Sequence, residues 1–499
     1  MPRLRLAVLF AALFAAFAPV TSVATAVPSN ATELAAKAPA KSAAPATAAA
    51  SDKATQGLVQ MADEVAKEVE TLRGWKFKQP VKKQLCTPEQ ARAYLDKEIE
   101  KQIPNEKVRR SQTFLQMVGL LPAGCDLKKT FLDIMQSQVG GFYDTDTKTL
   151  YMVTRSGAKI VPLVERTMIA HELTHALDDQ YADLGKFVSA HTGESEDMDL
   201  ATTSVFEGSA TALMSQYMTQ ATLAGKIDLA ELQEYAVQET ARSQPLLRAP
   251  RYFLAMMGAY ICGTQFLARG NIMTLMLSAD NSAVGRNFLE AVKSPPQSTR
   301  QILHPEKYWD PATRDDPILV NDDDAARLLA KPGRFIIHKD TVGEMLCSIL
   351  GSPTAAKPAA AALPKGSDLG GLGGLEQSGG MGDLSDLQSA DAWIKPASKG
   401  WNGDRFYLVA AGASVDDAGK TIKDAKGVWL TFWESPQSRD AFVAAYAATD
   451  PVAGRTVGKL GSLGAAFFYG FTDAERQALL AALEKTPPKM TRGGKPWTM

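Results

Sequence analysis

Two stretches of small and structure-breaking residues decide how much of this 499-residue chain can build a core. From Val27 to about Thr55 the sequence is mostly Ala, Pro, Ser, Thr and Lys, which bury too little apolar surface to offset the entropy of folding. From Ser352 to Ser385 it is Ala/Pro-rich and then Gly-rich, with Gly370-Gly371-Leu372-Gly373-Gly374 at its centre, the composition of a flexible linker. Ahead of the first stretch, Arg3 and Arg5 precede an apolar run from Leu6 to Val20, and Ala24-Thr25-Ala26 follows as a small-x-small cleavage site. This is the layout of a secretory signal peptide, and the run is shorter than the ~20 residues a spanning helix requires. The expected organisation is a signal peptide over 1–26, a linker or pro-segment over 27–56, a main domain over 57–351, a linker over 352–385 and a small module over 386–499. Roughly 410 residues are left to fold.

Export changes the meaning of the cysteines. Cys86, Cys125, Cys262 and Cys347 could pair in an oxidising compartment, as Cys86–Cys125 and Cys262–Cys347, or stay as buried thiols. None sits in a CxxC spacing, which disfavours a cysteine zinc site. None lies near the cleavage site either, which disfavours a lipoprotein. Lys plus Arg total 54 against 55 Asp plus Glu, a net charge of −1 that gives no electrostatic reason for nucleic-acid binding. The apolar run Tyr252 to Ala268 reads as a buried core helix, so no stable membrane span is expected after signal cleavage. The oligomeric state is not encoded in any feature of the sequence.

The patterning is that of an α+β protein. Leu58, Met61, Val65, Val69 and Leu72 recur at helical spacing and Gly74 follows as a stop. Thr87-Pro88-Glu89-Gln90 opens a second helix with a capping box, and a third is expected over Ser111 to Leu121. Two β-prone runs, Gly140 to Tyr143 and Thr149 to Val153, flank a polar turn and make a hairpin. Helical patterns then cover about Val164 to Ala182 and Leu200 to Leu223. Beyond the second linker, strands at Arg405 to Ala410, Val428 to Trp433 and Ala465 to Phe471 alternate with helices opened by Ser435-Pro436 and Thr472-Asp473-Ala474-Glu475, a ββαβα module.

Chemistry concentrates at His171-Glu172-Leu173-Thr174-His175. Four residues make about one helical turn, so both imidazoles leave one face of a helix and can hold one metal ion, with Glu172 beside them. With 5 histidines in the chain, chance would supply about 0.003 such motifs. Zinc in a catalytic site takes a third protein ligand. Asp178 and Tyr181 stand where a metzincin would have Gly and His, which excludes that class. Glu207 begins the small-residue stretch Glu207-Gly208-Ser209-Ala210 on an otherwise apolar helix, where a carboxylate is costly unless a cation meets it. It is the preferred third ligand, and His191 is the alternative.

The HExxH motif with a downstream Glu207-Gly208-Ser209-Ala210 resembles the gluzincin branch of the zincin metallopeptidases. The set Gly141-Phe142-Tyr143-Asp144, His171 to Gln180, Glu207-Gly208 and Pro295 to Glu306 is more closely similar to a group of secreted bacterial zincin-like proteins, over roughly residues 57 to 350. Gly403-Asp404-Arg405 and the Trp429 to Trp433 strand are similar to that group's tail. Thr211 departs from the thermolysin-like pattern, in which an acid four residues after the third ligand orients a histidine. Asp178 or Asp179 could take over that task.

The resemblance implies a mainly helical zincin-like domain, Zn2+ held by His171, His175 and Glu207, and hydrolysis of a peptide or protein substrate outside the cytoplasm with Glu172 as general base. An oxyanion donor is expected among Tyr217, His304 and Tyr308. The strand Thr149 to Val153 would pair with extended substrate. A zinc-binding scaffold without turnover, which binds a partner in the cell envelope, is the alternative.

Overall fold

The computed structural model describes residues 48–154, 162–227, 251–272, 282–329, 331–352, 390–449 and 455–498, together with part of the stretch 230–250. The expected signal peptide, most of the first linker and nearly all of the second lie outside the described residues. The chain is α+β.

The first helix, α1, spans Ala48–Arg73 and begins nine residues before the expected start at Gly57. Its added N-terminal stretch includes four alanines, strong helix formers whatever they pack against. Strand β1 (Lys82–Cys86) follows, then α2 (Pro88–Gln102), α3 (Asn105–Met117) and α4 (Leu127–Gln138). The capping box at α2 forms as expected between Thr87 and Gln90. The hairpin consists of β2 (Gly141–Asp144) and β3 (Thr149–Val153). Helices α5 (Pro162–Ala182), α6 (Leu184–His191), α7 (Glu196–Leu223) and α8 (Leu254–Leu267) form the centre. They are followed by α9 (Ala283–Lys293) and α10 (Thr299–Leu303).

Along α5, α7 and α8 nearly every turn is buried on all sides, so these helices carry no amphipathic stripe. α8 is the apolar run Tyr252 to Ala268, a core helix as expected. No helix among the described residues is long and apolar enough to cross a membrane. α7 and α8 touch backbone to backbone, because a Cβ on Gly263 would lie 2.0 Å from the Ser204 carbonyl oxygen and one on Gly208 2.2 Å from the Gly263 carbonyl carbon.

The expected boundary at residues 351 and 352 is not a structural one. Strand β4 (Ile318–Val320), β5 (Arg334–Asp340) and helix α11 (Gly343–Leu350) precede it. After it come β6 (Trp401–Ala411), β7 (Lys423–Trp433), α12 (Pro436–Ala448), β8 (Arg455–Leu460), β9 (Gly464–Tyr469), α13 (Asp473–Lys485), β10 (Met490–Arg492) and β11 (Lys495–Trp497). One five-stranded sheet runs β5-β6-β7-β9-β8, so β5 from the expected main domain pairs antiparallel with β6 of the expected module. β4 likewise pairs with β10. The composition of the intervening segment does not say whether the flanking elements share a sheet.

Asp404 ties that sheet to the helical layer. Its carboxylate accepts from the N–H groups of Val342 (2.8 Å) and Gly343 (2.9 Å) and from the indoles of Trp401 and Trp429 (both 2.9 Å). Gly343 is left-handed at φ +82°, and a Cβ there would meet the Asp197 carboxylate at 2.0 Å. Asp197 in turn donates its N–H to Thr341 (3.1 Å) and accepts from the Thr299 N–H (2.8 Å). The N-terminal end of α7 is therefore fixed by the sheet.

Candidate metal centre

Pro162 stands at the start of α5, where its missing N–H costs nothing, and the helix carries the HExxH motif in its middle turns. One turn separates His171 from His175, and their Nε2 atoms come to 3.1 Å of each other. α7 crosses beside them and presents Glu207, whose Oε2 lies 3.2 Å from His171 Nε2 and 3.4 Å from His175 Nε2. Ligand atoms ~2.0–2.1 Å from a tetrahedral ion are about 3.3–3.4 Å apart, so this triangle has the size of one face of such a site. The three residues are the one His/Cys/Asp/Glu group able to hold a metal ion among the described residues.

The surroundings are dry. His171 and Glu207 are 0 % exposed, Glu172 1 % and His175 2 %. Burial pushes the His175 imidazole down to about 4, which keeps the ring neutral and its lone pair available. Burial raises the Glu207 carboxyl, opposed by hydrogen bonds from His171 and Tyr260. It raises Glu172 further still, with the Glu207 charge adding to the effect. Two adjacent buried carboxyls are expensive to ionise unless a cation sits between or beside them.

Glu172 is held from the hairpin. The Tyr143 backbone N–H donates to Glu172 Oε2 at 2.9 Å, from the outer edge of β2. Tyr260 of α8 stacks on His171 (ring centroids 6.0 Å apart, 20° between planes), and Phe206 meets His175 edge-on at 5.9 Å. Sequence reasoning missed Tyr143, Tyr260 and Phe206. The one available signal was a phenol inside the otherwise apolar run Tyr252 to Ala268, since a buried Tyr hydroxyl needs a partner.

The other expected site residues fall elsewhere. Tyr217 lies ten residues beyond Glu207, about 15 Å along the helix axis, where its hydroxyl accepts from Arg166 Nε (2.8 Å) and donates to Glu68 (3.0 Å). His304 Nε2 pairs with Glu344 Oε1 at 2.9 Å, and the Tyr308 hydroxyl donates to the Ser294 carbonyl. His191 Nδ1 is hydrogen-bonded to the Phe187 carbonyl at 2.7 Å. None of the four joins the metal group. Asp178 and Asp179 do not reach the ligand imidazoles: Asp178 is paired with Arg73 and Ser209, and Asp179 accepts from Tyr143 Oη (2.7 Å), Lys148 (2.6 Å) and the Leu184 N–H (2.9 Å). His175 Nδ1 has no hydrogen-bond partner among the described residues.

The substrate-strand expectation is corrected as well. The small sheet runs β1-β3-β2, so Thr149–Val153 is its central strand, with β1 parallel on one side and β2 antiparallel on the other. Both of its edges are taken. The four cysteines are free thiols, so neither expected disulfide forms. A cavity of about 650 Å³ opens between α1, α5 and α7, lined by residues including Glu68, Arg166 and Tyr217 but none of the metal group.

A family model described as a domain of unknown function (DUF8575) matches residues 335–467, the stretch from β5 through most of β9. No curated protein and no solved structure matches the chain.

Proposed function

We propose that this chain is a zinc-dependent, zincin-like peptidase that acts on extracytoplasmic proteins or peptides, with Zn2+ held by His171, His175 and Glu207. The observation that carries the reading is the pairing of a three-residue ligand triangle with Glu172, a buried carboxyl kept beside it by the Tyr143 N–H. Two imidazoles and one carboxylate, three protein donors in all, are the donor set of a catalytic zinc site, whereas structural zinc sites supply four protein ligands. Zinc held by His171, His175 and Glu207 would supply Lewis acidity and would make water acidic enough to lose a proton near pH ~7. Glu172 takes the proton of the attacking water and returns it to the leaving amine. The Tyr143 N–H fixes Oε2 and leaves Oε1 for that proton. Peptide bonds, as the class of substrate, and an exported location rest on the sequence resemblance and the N-terminal pattern.

A second reading is favoured by one observation, the near-complete burial of all four residues. A zinc-binding scaffold without turnover, serving a partner in the cell envelope, needs no path for substrate, whereas a peptidase requires the elements over the site to part. Inhibition separates the two. Under the peptidase reading the zinc-loaded protein cleaves casein, and 1,10-phenanthroline or a peptide hydroxamate stops it. A zinc-loaded protein with no cleavage to stop supports the scaffold.

A further inference from the structure

Arg73 ends α1, and its side chain is 1 % exposed. Its Nε donates to Asp178 Oδ1 at 3.1 Å, and its Nη2 contacts both Asp178 Oδ1 and the Ser209 hydroxyl. Ser209 passes its own proton on, donating to Asp178 Oδ2 at 2.6 Å. The three groups thus close a ring in which both oxygens of Asp178 are occupied. The Trp75 and Phe288 rings flank the guanidinium at 5.0 and 5.7 Å. A charged pair this dry gains little or no stability over a well-packed apolar pair, so stability alone gives no reason for it.

Its place in the fold gives one. Asp178 is three residues after His175 on α5, and Ser209 is two residues after Glu207 on α7. The ring therefore bridges the two helices that carry the ligands, within one turn of His175 and of Glu207 and about two turns from His171. We propose that Arg73 is a positioning residue of the metal centre, a buried clamp that sets the spacing of α5 against α7 and so holds Glu207 within reach of an ion on His171 and His175. The proposal rests on the metal reading above. A third ligand donated by a separate helix is only as well placed as that helix, and partners outside the ligand set typically change metal affinity by ~10–100-fold.

The test measures zinc affinity by competition with a chromogenic chelator, beside thermal unfolding of the metal-free protein. Arg73→Met combined with Asp178→Leu removes both charges and strands neither, so the fold should be retained. Its zinc Kd should still weaken by ~10–100-fold. Ser209→Ala keeps the ion pair, cuts the link to α7 and should weaken zinc several-fold. A folded double variant whose zinc Kd stays within twofold of wild type overturns the clamp. If the double variant is not native by circular dichroism, Ser209→Ala decides, and an unchanged Kd there overturns it. Wild type that binds no zinc overturns the metal reading and the clamp with it, whereas wild-type binding with unaltered variants overturns the clamp alone.

Discussion

Gly208→Ala tests how closely the Glu207 helix must approach its neighbour. On an open helix this change would stabilise by ~1 kcal/mol, since Ala is the better helix former. At Gly208 the added Cβ would sit 2.2 Å from the carbonyl carbon of Gly263, 2.5 Å from its oxygen and 2.7 Å from its Cα. Carbon atoms pack at about 3.5–4.0 Å, so α7 and α8 must part by over ~1 Å. The obstacle is backbone, which cannot rotate away as a side chain can. Overpacking of this kind costs ~1–3 kcal/mol, and the upper end applies here, leaving a net loss of about 1–2 kcal/mol after the propensity gain. The same movement shifts Glu207 relative to Tyr260 and His171, so zinc should bind more weakly. The assay is a urea midpoint for the metal-free protein beside a zinc competition titration. A midpoint equal to or above wild type would refute the close-approach argument, because it would mean the helix contact yields at no cost.

Glu207→Ala should lose stoichiometric zinc while remaining folded, since it removes a carboxyl whose burial is costly without a cation; full zinc occupancy by metal analysis would place the third ligand elsewhere. A pH prediction follows from Asp197 and Asp404, which fix the N-terminal end of α7, and from Asp199 in its first turn, which accepts from the Gly193 N–H at 2.6 Å. Burial pushes Asp197 and Asp199 up to about 7 and Asp404 up to about 6, well above the ordinary ~3.9. The folded state therefore holds protons that the unfolded chain has released, and the stability these groups contribute is full below pH ~4 and lost as pH rises through about 6–7. Asp197→Asn keeps an acceptor for Thr299 and removes one of the titrations, so its unfolding temperature should fall less than that of wild type between pH 5 and pH 8; an equal fall would contradict this.

The local signals in the sequence were dependable where chemistry and spacing coincided. The turn between His171 and His175, and a lone acid on an apolar helix at Glu207, follow from helix geometry and the cost of burying charge, and the structure brings these three together. Thr87 and Thr472 cap as their capping-box sequences require. What escaped was long-range. Nothing in Arg334 to Asp340 shows that it pairs across a linker with Trp401 to Ala411, because pairing partners are set by the whole sheet. For the same reason Thr149 to Val153 could be recognised as a strand but not as the central one. Tyr217 and His304 bear suitable groups, yet helix periodicity and packing direct them to Arg166, Glu68 and Glu344. Tyr260 and Arg73 reach the centre from helices far away in sequence, which no local pattern records.

The central claim is that Glu172 works beside a zinc ion held by His171, His175 and Glu207. Metal analysis and a peptide-library cleavage assay on the exported protein, wild type against Glu172→Gln, test it most directly. The account predicts one zinc per chain in both proteins and cleavage by wild type alone. Equal cleavage by Glu172→Gln, or wild type that carries no zinc at full activity, would contradict it.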